Sequence, residues 1–149
     1  MRLDRTWIER NIPHHGRMCL LDEVIEWDAQ NIYCRSSTQR AADHPLRSNG
    51  RLGIACGIEY AAQAMAAHGA LAGGANNPRS ELGFLASLRD VRFHAMRLDD
   101  IEGDLLCDAV LVAGDRGSAL YEFALRSEER RLLSGRATVV FDANKRLYP

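Results

Sequence analysis

The stretch IACGIEYAAQAMAAHGALAG, Ile54–Gly73, decides how the rest of this chain folds. Alanine, methionine and glutamine dominate it, all good helix formers, and the pair Gly73–Gly74 punctuates its end. It is long enough for about five helical turns. Small or apolar side chains run nearly all the way round, the pattern of a helix that is buried on most sides. Its many alanines allow other backbone surfaces to approach closely. A helix of this kind needs a wide apolar cover.

The segments after it supply that cover. Beyond the loop GGANNPRSE, the stretches GFLASLRDVRFHA, DLLCDAVLVAG, SALYEFALRSEE and RLLSGRATVVFD alternate apolar and polar residues, as half-buried strands do. Gly114–Gly117 and Ser127–Arg130 have the composition of hairpin connections, and Asp99, Asp100 and Gly103 mark another turn. Before the helix, TWIERNIPH contains a short amphipathic turn that Pro13 ends. MCLLDEVIEWD and NIYCRSST read as two strands joined through Asp28–Asn31. RAADHPLRSNGRLG reads as a loop broken by His-Pro and Asn-Gly. Strands grouped around one segregated helix indicate an α+β fold with an antiparallel sheet. We expect one domain over residues 1–149, its long sheet curled round the Ala-rich helix.

Composition narrows the function classes. Apolar residues make up 46% and charged residues 26%, so a packed soluble core is the default. The net charge is −1, the charges are interspersed, and Lys145 is the only lysine, which argues against nucleic acid or an anionic membrane surface as partner. No apolar run approaches the ~18 residues of a membrane span. Cys19, Cys34, Cys56 and Cys107 are far apart and form no CxxC pair, so reduced, mostly buried thiols and a cytoplasmic location are expected.

Glu59 is the residue that calls for chemistry. It lies among Ile58, Ala61, Ala62, Ala64 and Met65, where a carboxylate must be neutral, paired or useful. Helical spacing places Gln63, Ala62, Ala66 and Ala70 on its side, a polar notch on an alanine face, and turns His68 about 180° away. An acid in a helix's first turn is also explained by the helix dipole alone. The segment IPHHGRMCLLDEV, Ile12–Val24, carries a second candidate. His14 and His15 follow Pro13, and by themselves they are ordinary loop residues. As a metal pair they lack further ligands at convincing spacing, and adjacent residues seldom face one ion.

Two motifs together carry a resemblance. PHHGRMCLLDEV is similar to the N-terminal motif of the β-hydroxyacyl-acyl carrier protein dehydratases, and GIEYAAQAM is similar to their central-helix motif. The closing strand LLSGRATVVF and the order of elements also fit. Within that superfamily, LGIACGIEYAAQAMAAHGAL most resembles the dehydratase-like proteins of aryl polyene gene clusters. The resemblance implies a hot-dog fold, a long antiparallel sheet wrapped around a central helix. It also implies His14 as the catalytic histidine, Asp22 as the acid that ends the motif, Glu59 as the catalytic carboxyl and Gln63 as its glutamine. The chain departs from the common pattern upstream of Glu59. The usual Pro-Gly is missing, and Gly53 in NGRLGIACGIE is the nearest glycine, one place out of step. Gly53 or Ile54 N–H is then the candidate donor to a thioester carbonyl. His44, in HPLRSNG, is a possible loop or substrate-side residue.

The reaction so implied removes water from a 3-hydroxyacyl thioester to give a trans-2-enoyl thioester. His14 would take the α-proton and Glu59 would protonate the leaving hydroxyl, with Gln63 orienting Glu59 or bonding the substrate. No metal or organic cofactor is required. The acyl group would be carried by acyl carrier protein or coenzyme A. The assembly would be a homodimer or a hot-dog heterodimer, with the His and Glu of one pocket commonly drawn from two subunits. Leu20, Ile54, Ala62, Met65, Ala66, Phe84 and Leu85 are candidate lining for an acyl tunnel. Arg17, Arg47, Arg51, Arg79, Arg92 and Arg97 are available to meet an acidic carrier. Three other readings compete: a hot-dog thioesterase, a non-catalytic subunit of a heterodimer, and a binding protein whose motifs match by chance.

Overall fold

The computed structural model describes residues 2–73 and 83–141. Strands β1 (Leu3–Asp4), β2 (Glu23–Trp27), β3 (Asn31–Ser36), β4 (Gly83–Phe93), β5 (Leu105–Gly114), β6 (Ser118–Ser127) and β7 (Arg130–Phe141) form one sheet in the order β1-β2-β3-β5-β6-β7-β4. Every pairing is antiparallel. Helix α1 (Arg5–Asn11) is capped by the Asp4 side chain, which accepts from Trp7 N–H. Helix α2 (Gly57–Gly73) is entered through a 3-10 turn, Ile54–Cys56. It packs on β3, β5 and β6. This is the hot-dog fold.

Alternation and helix composition meet at this interface. On β6, the side chains of Ala119, Tyr121, Phe123 and Leu125 point in and are buried. On α2, Tyr60, Ala61, Ala64 and Ala67 are fully buried. The start of the helix presses closest. A Cβ on Gly57 would lie 2.4 Å from Leu133 Cδ2 and 2.8 Å from Leu125 Cδ2, so only glycine fits there without movement. The turn at Asp28 is built as its composition suggests, since Asp28 Oδ1 accepts from Gln30 N–H at 2.8 Å and Asn31 N–H at 2.7 Å. The cysteines are all free, and Cys19, Cys34 and Cys107 are buried. Burial pushes the Cys34 thiol up to about 12. No helix among the described residues is long and apolar enough to cross a membrane.

The strand expected over MCLLDEVIEWD is shorter than its pattern. β2 begins only at Glu23, and Gly16–Met18 is a 3-10 turn. Leu20 and Leu21 are fully buried all the same. Side chains replace a strand partner here. Leu20 N–H donates to Gln63 Oε1 at 2.8 Å, and Leu20 O accepts from the Ser36 and Thr38 hydroxyls at 2.5 and 2.9 Å. NIYCRSST likewise stops pairing at Ser36, and a 3-10 turn follows over Thr38–Arg40. The loop expected over 73–81 lies, beyond Gly73, outside the described residues, as does Asp142 at the end of the last expected strand.

One edge of the sheet stands apart. Among the described residues β4 bonds only to β7, and Leu85, Leu88 and Phe93 are 41%, 38% and 47% exposed. An edge strand carrying this much exposed apolar surface is poorly suited to stand in water.

Candidate active site

α2 fixes Glu59 and Gln63 one turn apart, so their side chains lie on one face. His14 comes from the irregular segment between α1 and β2. The fold brings His14 Nε2 to 2.8 Å from Glu59 Oε1, with their side chains 26% and 32% exposed. Both groups belong to this one chain. The turn after Pro13 folds back onto its own central helix because Gln63 holds it there.

Gln63 is completely buried. Its Nε2 donates to Met18 O at 2.7 Å and to Glu59 Oε1 at 3.3 Å, while its Oε1 accepts Leu20 N–H. The Leu20 donor fixes which way the amide points. A single side chain therefore orients Glu59 and ties down the segment that carries His14. These bonds engage Gln63 with the protein's own groups. His14 Nδ1 is buried and has no hydrogen-bond partner among the described residues.

The two amides considered for a thioester carbonyl differ. Ile54 N–H donates to Met96 O at 3.1 Å and is thereby engaged. Gly53 N–H has no acceptor among the described residues, and the space around its Cα is open. Neighbouring bonds hold Gly53 in place: Leu52 N–H donates to Asp99 Oδ1 at 3.0 Å, and Leu98 N–H to Leu52 O at 2.7 Å. The Arg97 guanidinium beside Asp99 holds that carboxyl well below the usual carboxylate range. Glu59 lies in the first turn of α2, where the helix dipole favours negative charge.

The other histidines lie elsewhere. His15 is exposed. His44 is 5% exposed and faces Tyr60, its Nε2 3.0 Å from the phenol oxygen, while its Nδ1 accepts Leu46 N–H at 3.1 Å. Burial pushes the His44 imidazole below its ordinary value, and Arg47 adds to this. His68 is buried with Nδ1 at 2.8 Å from Tyr121 OH and Nε2 at 2.9 Å from Asp28 O, at a distance in sequence and in partners from Glu59. Among the described residues, no three His, Cys, Asp or Glu side chains gather as metal ligands.

Of the proposed tunnel residues, Leu20 and Met65 belong to the core, Ile54, Ala62 and Ala66 are half-buried, and Leu85 is on the exposed edge. The side chain of Phe84 lies outside the described residues. Among the arginines, Arg47 is turned onto Ala41 O, Gly50 O and Arg40 O, and Arg97 is paired with Asp99. Arg17 reaches Asp43 O at 3.2 Å, Arg51 and Arg92 are exposed, and Arg79 lies outside the described residues. Sequence reading missed the Ser36 and Thr38 hydroxyls on Leu20 O, and it missed Arg5, whose guanidinium donates to Gly16 O and Cys19 O. Nothing local marks these residues, because their acceptors are distant backbone carbonyls.

Comparison with known proteins agrees with this fold. No curated protein matches the chain. The structure of the dehydratase heterocomplex ApeI:P from Xenorhabdus doucetiae aligns with a TM-score of 0.78 at 22% identity, covering 94% of this chain and 93% of that one. A thioesterase from Haemophilus influenzae aligns with a TM-score of 0.58 at 13% identity, covering 80% and 76%. A hypothetical thioesterase with coenzyme A from Streptococcus pneumoniae aligns at 0.59 and 9% identity, covering 79% and 83%. At these identities the likeness is one of fold. The family model described as ApeP dehydratase matches residues 6–147, nearly the whole sequence, and the chain therefore belongs to the ApeP-like family of dehydratases.

Proposed function

We propose that this chain dehydrates 3-hydroxyacyl thioesters to trans-2-enoyl thioesters, with His14 and Glu59 as its catalytic residues. The supporting observation is the 2.8 Å contact between His14 Nε2 and Glu59 Oε1. Elimination removes a proton from one carbon and a hydroxyl from its neighbour, so the two serving groups must converge on adjacent atoms. His14 takes the α-proton as Glu59 protonates the departing hydroxyl, and water leaves. The pair then stands as imidazolium and carboxylate, and one proton hop across the contact restores it. Gly53 N–H is the candidate donor to the carbonyl oxygen as charge builds there. General acid and base contributions of this type are worth roughly 10²–10⁴ in rate each.

The test is conversion of a 3-hydroxyacyl thioester, on acyl carrier protein and on coenzyme A, by wild type, His14→Ala and Glu59→Gln. Appearance of the conjugated enoyl product, lost in both variants, supports the proposal. Full activity in both variants overturns the assignment. Release of free thiol without enoyl product points to a thioesterase.

A second reading concerns assembly. The exposed apolar edge of β4 supports pairing with another hot-dog subunit, and the ApeI:P relative named above is itself a heterocomplex. Wild type that is inert alone and active with a second hot-dog protein assigns this chain to a heterodimer.

A further inference from the structure

We propose that Arg5 is a positioning residue for His14, held in place by Asp22. The segment from Pro13 to Leu21 belongs to no strand, so the sheet does not hold it. Gln63 secures it from α2, through Met18 O and Leu20 N–H. Arg5 secures it from α1. Its Nη2 donates to Gly16 O at 3.0 Å and to Cys19 O at 2.5 Å, spanning the 3-10 turn that begins two residues after His14. Its Nη1 lies 3.5 Å from Asp22 Oδ1.

Asp22 is itself anchored. Its Oδ2 accepts Ser37 N–H at 2.7 Å and the Ser37 hydroxyl at 3.1 Å, and its own N–H donates to Arg35 O at 2.9 Å. The line of contacts therefore runs from the end of β3 through Asp22 to Arg5 and on to the His14 turn. This accounts for the acid that closes PHHGRMCLLDEV. The Asp22 carboxylate meets Arg5, Ser37 and Arg35, and it orients the guanidinium that grips the turn.

The energetics separate positioning from plain stabilisation. Arg5 is 36% exposed and Asp22 21% exposed, so their ion pair adds little to global stability. Bonds from a guanidinium to two carbonyls are charge-assisted, and the planar fork fixes direction as a lysine ammonium does not. Loss of that direction shifts His14 relative to Glu59, and a misplacement of about 1 Å can cost on the order of 10²-fold in rate.

The clamp is read from geometry, and its kinetic consequence rests on the dehydratase proposal. The experiment compares wild type, Arg5→Met, Arg5→Lys and Asp22→Asn by three measurements: the His14 imidazole N–H resonance in ¹⁵N-edited NMR, kcat and KM, and thermal unfolding. In Arg5→Met the His14 resonance moves or broadens and kcat falls about ten- to a hundredfold, with KM little changed. Arg5→Lys recovers part of both signals, Asp22→Asn shows a smaller change of the same sign, and melting stays close to wild type in both. If Arg5→Met fails to fold, the other two variants decide. An unshifted His14 resonance in Asp22→Asn and Arg5→Lys overturns the proposal. So does a kcat loss that only follows the loss of folded protein. The resonance needs no substrate, so inactivity of wild type would sink the dehydratase reading and leave the clamp to be judged by NMR.

Discussion

His14 Nε2 and Glu59 Oε1 meet at 2.8 Å inside a single chain, although they stand 45 positions apart in the sequence. Each protomer therefore carries a whole pair. Subunits that each lack a different member cannot complete one another. We expect mixed assemblies of His14→Ala and Glu59→Gln to stay as inactive as either variant alone. Recovery of activity on mixing would mean that the pair forms between subunits.

Gln63 links the helix to the His14 segment. Gln63→Leu leaves Met18 O and Leu20 N–H without their partner, and Leu20 is fully buried. Each unsatisfied buried group costs about 1–3 kcal/mol. At about 2–4 °C per kcal/mol for a domain near this size, melting should fall by several degrees and kcat should fall with it. A Gln63→Leu protein that melts and turns over like wild type contradicts the role assigned to this amide.

His44 makes stability depend on pH. Its folded-state value is lowered, first by burial and then by Arg47. Between that lowered value and the unfolded value of about 6.5, the unfolded chain binds more protons. The stability contributed by neutral His44 is thus complete above about pH 6.5 and declines as pH falls below it. Urea titrations at several pH values should show this slope in wild type and a flatter one in His44→Asn. Asparagine can still accept Leu46 N–H through its side-chain oxygen. Equal slopes would remove His44 as the cause.

Gly57 tests packing against propensity. Alanine is the better helix former by about 1 kcal/mol. Its Cβ would nonetheless meet Leu133 Cδ2 at 2.4 Å and Leu125 Cδ2 at 2.8 Å. Overpacking of this type costs typically about 1–3 kcal/mol. We expect Gly57→Ala to lower the melting temperature, and a rise would show that the leucines yield freely.

The β4 edge predicts an oligomer. Leu85 and Leu88 are exposed in the single chain, and Leu85→Glu with Leu88→Glu should shift the sedimentation mass from oligomer to monomer while circular dichroism is unchanged. A wild type that sediments as a monomer at all concentrations, alone and with other hot-dog subunits, refutes this.

Local patterns determined much of this protein in advance. The alanine helix, the alternating strands of its second half and the Glu59–Gln63 spacing are properties of neighbouring residues, and periodicity exposes them. Tertiary structure alone decided the rest. Met18–Leu21 has a strand's composition but bonds to side chains of Gln63, Ser36 and Thr38, and Ile54 N–H is taken by Met96 O. Asp22, the acid that ends the N-terminal motif, pairs with Arg5. The reason is common to these cases. Each buried backbone donor or acceptor must find a partner, and which distant side chain reaches it depends on how the helix and sheet come to rest.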